Sequence, residues 1–404
     1  MRTAWRIFKV VATAAQALVA AVSLYQATIT TTGYIRRQRG HLPTIGNAEP
    51  RFGIIVCARN EEAVIGRIVR DLMAQEYPPD RFEVVVVAHN CDDDTAGEAA
   101  RAGASVVVLA DRATGKSHPI RAGLDVLRDR CDLVGVFDAD ARVEQGLLRA
   151  IAERSEGEVC LQAEAVPIED PEWLAAGYGF GRKARNLFWW RPRETLGLGT
   201  TITGCGWFIR PQVFDGVFGR ARTLTEDLEL TASLYAAGYK VAYVSGARVA
   251  IGEPREFRSS VRQRLRWVRG HLGVVRLEWP ALAGRAIRGD RNALDMALYM
   301  VMPTRLLTRT GVSVAFLMTL VRAPFGLPWL VVAPAALGEW AVPTFIALRE
   351  RLVGMNRTGL SLAVRHGVLS LMWFPIGVWA LLTARVNVWE AMPRPFQRDH
   401  SNVS

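Results

Sequence analysis

From Val10 to Ile35 the chain carries no charged residue, and this constrains it more than any other feature. Wound as a helix, such a run crosses the roughly 30 Å hydrocarbon core of a bilayer. A secretory signal peptide is the competing interpretation, because Arg2, Arg6 and Lys9 precede an Ala-rich stretch. The run, however, exceeds the ~7–15 residues of a signal h-region. Arg36, Arg37 and Arg39 place its exit on the cytosolic side, against the opposing pull of Arg2, Arg6 and Lys9. Apolar runs return at Gly311–Val321, Leu327–Leu348 and Gly367–Ala384. The first is short and borrows from Leu306–Thr310 despite Arg309. The second contains Glu339, which either faces a polar path or neutralises Arg309 or Arg322. The connection 349–366 carries Arg349, Arg351, Arg357 and Arg365 and reads as cytosolic. Ala293–Met302, ended by Pro303, reads as lying in the interface. The expected organisation is an N-terminal transmembrane helix (1–35), a cytosolic domain (50–255), interfacial helices (256–303), about three C-terminal spans (304–386) and a tail (387–404). That describes a multi-pass protein of the cell membrane.

The charge balance fits this picture. Lys and Arg outnumber Asp and Glu by 50 to 39, but the charges punctuate apolar runs and do not interleave with aromatics along a surface. A bilayer is therefore the expected partner, and no nucleic acid is expected. The five cysteines form no CxxC pair, which argues against both a disulfide scaffold and a zinc module.

Between the apolar runs the pattern changes. Phe52–Ala58, Phe82–Ala88, Ser105–Leu109 and Leu133–Phe137 are short apolar segments rich in β-branched residues. Helical patterns at Glu61–Ala74, Thr95–Ala102 and Pro119–Arg130 separate them. This alternation predicts an α/β domain with a parallel sheet covered on both faces, whose ligands bind beyond the C-terminal ends of the strands. Polar residues follow those ends: Arg59-Asn60-Glu61, His89 to Asp94, and Asp138-Ala139-Asp140. Neither GxGxxG nor GxxxxGK[ST] occurs, which disfavours dinucleotide and P-loop chemistry.

Asp138 and Asp140 close the strand LVGVFDAD, and strand alternation points them to one side, where they can share a hard cation with a ligand's phosphate oxygens. Gly115-Lys116 can set an ammonium on phosphate. Thr225-Glu226-Asp227 opens a helix, Leu228–Ala237, which Gly238 ends. Locally this is a Thr N-cap with acids complementing the dipole; the same placement lets an ionised Asp227 accept a proton from a hydroxyl. Glu256–His271 is a further helix, with Phe257, Val261, Leu265, Val268 and Leu272 on one stripe and Gln263, Arg266 and Trp267 on another. Its arginines suit anionic lipid as well as a diphosphate, and Trp267 suits a sugar ring.

In order, ARNE, DAD, TED and QRLRW resemble the motifs of membrane-integrated family 2 glycosyltransferases of GT-A fold, a group similar to the cellulose, chitin and hyaluronan synthases. The resemblance covers residues 50–275 and the flanking helices. It implies an inverting, metal-dependent hexosyltransferase with a nucleotide-sugar donor, a UDP-sugar above all, and Mg²⁺ or Mn²⁺. Ala58, Asn60 and Glu61 would lie at base and ribose, and Lys116 near base or phosphate. Asp138 would contact the donor, and Asp140 would hold the metal with it. Asp227 would be the general base. Glu226, Gln263, Arg266 and Trp267 would serve the acceptor and diphosphate. The family's Asp at the nucleobase is His89 here, so that contact is either remade, with Asp93 as candidate, or the donor is unusual. The family's Pro before the nucleotide loop is Cys57, and His118 reads as a surface residue. The main expectation for the product is a growing polysaccharide. The alternative is one sugar added to a lipid acceptor, as in the similar ceramide glucosyltransferases. An inactive sugar-nucleotide sensor or scaffold is a third, with His89 its only motive.

Overall fold

In the computed structural model, residues 2–40, 46–111, 113, 115–217, 222–301, 305–321, 329–352 and 357–383 are described. Pro303, Arg322, the 322–326 loop and the 387–404 tail lie outside the described residues. The strands are β1 (Phe52–Ala58), β2 (Phe82–His89), β3 (Ser105–Leu109), β4 (Leu133–Asp138), β5 (Arg142–Val143), β6 (Cys160–Pro167), β7 (Trp207–Ile209) and β8 (Val241–Ile251). They form one sheet in the order β3-β2-β1-β4-β7-β6-β8-β5. β1 runs parallel to β2 and β4, and β2 parallel to β3. β7 is antiparallel to both its neighbours, whereas β6 and β8 are parallel. The first four strands and their intervening helices follow the sequence pattern. The antiparallel insertion and the second half of the sheet are additions to it.

Strand alternation divides the core into two layers. Ile54 and Val56 of β1 pack with Ile65, Ile68 and Leu72 of the first crossover helix, Ile65–Met73. Ile55 points the other way, to Leu124 and Leu127 of Ser117–Leu127. Burial of both faces is why these strands read as unbroken β-branched runs.

Among the described residues three helices are long and apolar enough to cross a membrane: Thr3–Gln38, Trp329–Arg349 and Thr358–Leu382. Arg305–Leu320 is apolar but shorter. The expected set of about three C-terminal spans is thus two long helices and a short one among the described residues. Glu339 is buried, 3.8 Å from Arg309. The last long apolar helix starts at Thr358, well before Gly367, the predicted start, and packs on protein around that glycine. A Cβ on Gly177 would stand 2.7 Å from Leu369, and one on Gly181 2.5 Å from His366. Helix Trp173–Arg185 therefore docks on the membrane helix through glycines.

The N-terminal helix, Arg2–Gln38, also departs from the predicted 1–35 span. Its outer part exposes Trp5, Ile7, Phe8, Val10 and Val11. From Tyr25 onward it is seated in the domain. Arg193, 1% exposed, bonds Asp295 through Nε and Nη2 at 2.8 Å each, and donates to Gln26 Oε1 at 2.8 Å. The Tyr25 hydroxyl donates to the same Asp295 at 3.0 Å, and Arg193 stacks on Trp189 at 4.4 Å. Arg37 pairs with Glu194 at 3.0 Å. Every charge in this socket has a partner, the condition under which charge is tolerated inside protein.

Candidate active site

The loops after β1, β2 and β3 are laced by asparagines. Asn60 (φ 55°) and Asn90 (φ 52°) adopt left-handed backbone, which Asn tolerates better than most residues, and turn the chain sharply beyond each strand. Asn60 Oδ1 accepts from Asp92 N–H at 2.8 Å, and Asn90 Oδ1 accepts from Asp111 N–H at 3.0 Å. The Glu61 N–H donates to Thr95 Oγ1 at 2.8 Å, and the buried Ala58 carbonyl accepts from Cys91 Sγ at 3.7 Å. His89 is buried, with Nε2 2.9 Å from Asp111 Oδ1 and 3.0 Å from Asn90 Nδ2. His118 stacks on it, ring centroids 6.5 Å apart, and so is more than a surface residue. The hydrogen bond with His89 holds the Asp111 carboxyl below its usual range. Asp93, the candidate to remake the contact at His89, is engaged elsewhere. Its oxygens accept from Thr95 N–H at 3.1 Å, from the Thr95 hydroxyl and from Glu62 N–H at 3.2 Å. The carboxylate beside His89 is Asp111, which the sequence reading did not single out.

A second group gathers around Gly204. Lys116 Nζ donates to Asp138 Oδ1 at 2.7 Å and to the Gly204 carbonyl at 2.5 Å. Burial opposes the ammonium, but the Asp138 carboxylate outweighs it and leaves Lys116 above its ordinary pKa. Lys116 therefore sits at the DAD end of the sheet, apart from the His89 group. Strand alternation stops at Asp138: Asp140 lies in the turn that follows, where Ala141 N–H returns to the Asp138 carbonyl at 3.3 Å. Burial, and then the charges of Asp138 and Asp140, raise the buried Cys205 thiol above its ordinary pKa. Burial pushes Cys57, under the same group, up to about 12, so it is a neutral thiol and no nucleophile.

The TED helix, Glu226–Ala237, faces this group and ends at Gly238 (φ 94°). Thr225 occupies the N-cap position but makes no side-chain cap bond. Its side chain instead meets the helix Phe257–Ile287, where Gly270 admits it: a Cβ there would lie 2.5 Å from Thr225 Oγ1. The local capping interpretation is thereby corrected by tertiary packing. Gly204 (φ +85°) brings its own backbone close to the base candidate, a Cβ there standing 3.5 Å from Asp227 Oδ2. Burial, then the Asp227 charge, push Glu226 up to about 7. Burial also raises Asp227, countered by the Leu228 N–H, Arg266 and Lys116. Lys116, Ile120, Gly204, Trp207, Glu226 and Asp227 line a common recess.

The QRLRW helix contributes Arg266, whose Nη1 donates to the Leu224 carbonyl at 3.2 Å, joining this motif to the TED loop. Gln263 is half-buried, and Trp267 is exposed with Arg264 5.8 Å above its ring. The predicted apolar stripe is not the buried one: Phe257 is 60% exposed, and Ser260, Arg264, Gly270 and Val274 face inward. Close approach to Tyr178 and Thr225 favours small and polar groups on that face, leaving the apolar residues half-exposed towards the membrane helices.

The family model described as "Glycosyltransferase like family 2" matches residues 50–270, more than half of the chain. The chain is a family 2 glycosyltransferase. Its relatives include a β-monoglucosyldiacylglycerol synthase of Synechocystis sp., 29% identical over 63% of this chain and 54% of that protein. A protein of Komagataeibacter xylinus assigned as a cellulose synthase is 24% identical over 64% of this chain but 17% of its own length. The chain thus spans about half the length of the Synechocystis relative. Among solved structures, the mannosyltransferase PcManGT of Pyrobaculum calidifontis, in complex with GDP-Man and Mn²⁺, aligns with TM-score 0.50 and 16% identity over 88% of this chain and 99% of that one. It supports the GT-A fold. This family 2 domain therefore places its acids and its lysine at strand ends, where an α/β sheet binds ligands.

Proposed function

We propose that this glycosyltransferase moves a single sugar from a nucleotide-sugar donor to a membrane lipid, with inversion at the anomeric carbon. The observation that carries the reading is Asp227, held at a helix N-terminus across Gly204 from the Lys116–Asp138 pair. In this reading Asp227 takes the acceptor hydroxyl's proton while Lys116 and Arg266 balance charge growing on the departing diphosphate. Glu226, Gln263 and Trp267 border the acceptor. Ala58, Asn60 and Glu61 shape the nucleoside site. His89 and Asp111, with His118 stacked beside them, read the base, and Asp93 only shapes their loop.

Among the described residues no cluster of three or more His, Cys, Asp or Glu side chains could cage a metal by itself. Two carboxylates at a strand end fit a different role, since Mg²⁺ or Mn²⁺ on a nucleotide takes its remaining ligands from phosphate and water. Asp138 and Asp140 would hold such an ion, which would supply Lewis-acid stabilisation of the leaving diphosphate. The domain would face the cytosol, where nucleotide-sugars are made, with its helices anchoring it in the cell membrane.

The relation to a β-monoglucosyldiacylglycerol synthase supports a lipid acceptor over a polymer. So does the thin wall that the three long apolar helices among the described residues would offer a polysaccharide channel. The test is nucleotide release by the purified full chain across a panel of nucleotide-sugars, with Mg²⁺, Mn²⁺ or EDTA, and labelled product partitioned into organic and polymer fractions. Metal-dependent release from one donor, lost in Asp227→Asn, with label in the organic fraction, is the expected result. Label in alcohol-insoluble polymer would overturn the single-transfer reading.

A further inference from the structure

Thr203 and Gly204 separate the donor recess from a second one. Gln162, Arg182, Arg185, Trp190, Thr203 and Tyr243 line this second recess. Its wall includes a π-helical turn at Asn186–Trp190, a distortion often found where a helix serves a site. Thr203, which lines the second recess, is the chain neighbour of Gly204, which lines the first. The helix that carries Arg182 and Arg185 also packs on the last membrane helix through Gly177 and Gly181, so the recess stands at the membrane face.

Its charge is unbalanced. Arg182 is paired with Glu253 at 2.6 Å. Among the described residues no carboxylate makes an ion pair with Arg185, which lines the recess, or with Arg264, which is 4% exposed; the Glu253 charge that acts on both is already taken by Arg182. Arg264 stacks on Tyr178 at 3.6 Å, donates to the Ser260 carbonyl at 3.2 Å and leaves Nε without a partner. The nearby Glu164 is already held by Arg191 at 2.9 Å and by the Tyr243 hydroxyl at 3.2 Å. Desolvation, then the like charge of Arg182, hold Arg185 below its ordinary pKa, and Arg264 feels both of these neighbours. The Thr203 hydroxyl is buried and has no partner either. Arg185 and the unpartnered Thr203 hydroxyl line one recess, and a guanidinium with a hydroxyl donor is a pairing that suits a phosphate.

We infer that Arg185, backed by Arg264, binds the phosphate of the acceptor lipid, which makes the acceptor an anionic phospholipid with a free hydroxyl on its headgroup. This rests on the lipid-transferase reading and deepens it. A neutral glyceride would leave the guanidinium groups unmatched, and a bare phosphate monoester would give Asp227 no hydroxyl to deprotonate. In the step itself the headgroup oxygen bonds to the anomeric carbon as the carbon–oxygen bond to the nucleoside diphosphate breaks. The hydroxyl proton goes to Asp227, and the electron pair leaves on the diphosphate.

The test uses the full chain in phosphatidylcholine vesicles carrying either phosphatidylglycerol or diacylglycerol, and follows nucleotide release and labelled lipid separately. Phosphatidylglycerol is expected to take the label. Arg185→Gln is expected to raise the KM for that lipid by about tenfold or more, the size of one hydrogen bond to a charged group, with Arg185→Lys between the two. Lys183→Gln, on the same helix but paired with Glu169 on the surface, is expected to change nothing. Equal labelling of diacylglycerol, indifferent to Arg185→Gln, would overturn the inference while leaving the transferase reading intact. Diacylglycerol labelled only when phosphatidylglycerol is present would make this an activating lipid site and also overturn it. A rise in donor KM instead of lipid KM would reassign Arg185 to the donor's diphosphate. Absence of nucleotide release in every mixture would overturn the transferase reading and this inference with it.

Discussion

The two recesses on either side of Gly204 are built from different material. The donor side consists of strand ends and the loops that follow them: Asp138 closes β4, His89 closes β2, and Lys116 leads into the helix after β3. The other side draws on helical segments as well as strands, with Arg182, Arg185 and Trp190 from one helical stretch, Thr203 from a loop, and Gln162 and Tyr243 from β6 and β8. A strand end is a rigid platform that places a carboxylate as part of folding the core. A helix-lined recess can be reshaped by sliding one helix, which suits a surface that has to accept something as variable as a lipid. On the proposed reading, chemistry rests on the stiff side and acceptor choice on the adjustable side.

Substitutions on the two sides should therefore separate kinetically. The largest effect is expected from Asp227→Asn, a fall in kcat of about 10²- to 10⁴-fold, the usual range for lost general-base help. Donor KM should move little, which steady-state kinetics at saturating lipid will check. Lys116→Met should instead act on the donor, raising its KM by about 10- to 100-fold, since hydrogen bonds to charged groups contribute about 1.5–3 kcal/mol. Titrating the nucleotide product by calorimetry would measure the same loss without turnover. If Lys116→Met changed only lipid KM, the division between the sides would fail. His89→Asp is expected to leave kcat within a few-fold and shift preference among nucleobases, read by competing pairs of donors.

The smallest effect concerns pH. Burial and Asp227 raise Glu226 from 4.5 to about 7, so between those values the folded state binds more protons than the unfolded chain. Stability must fall as pH rises through that window. Glu226→Gln removes the titration, and its thermal midpoint should lose that slope between pH 4.5 and 7.

Legibility in the sequence follows the same division. β1, β2 and β4 are recognisable because buried parallel strands read as runs of Val and Ile, whereas the edge strand β3 shows by its β-branched run alone, with Val108 71% exposed. β6 is not, because Gln162 and Glu164 interrupt it. Those residues are buried, and the charge of Glu164 is balanced by Arg191 and Arg248 from distant segments. β7 has only three residues, too few for any period to show. DAD, TED and QRLRW were legible as motifs, and the structure brings Asp138, Glu226, Asp227 and Arg266 towards one another. Asp111 was not, because nothing local marks an aspartate as the partner of a histidine twenty-two positions earlier. Arg185 was hidden for the opposite reason: in GRKARN it looks like any solvated cation, and only the fold reveals that the acid near it, Glu253, is already bound by Arg182.

The Arg193 socket has a consequence for where the enzyme stands. Between Trp5 and Tyr25 the first helix rises about 30 Å at 1.5 Å per residue, the thickness of one hydrocarbon layer. Below Tyr25 the helix is bolted to the domain and cannot slide. If this helix spans the bilayer as proposed, the domain hangs at a set height from the far surface, like a gauge with one fixed jaw. The segment above Tyr25 is itself held, Val19 against Gly311, Gln16 against Met318 and Ala20 with Val312 and Ala335, so a bilayer of different thickness would tilt helix and domain together.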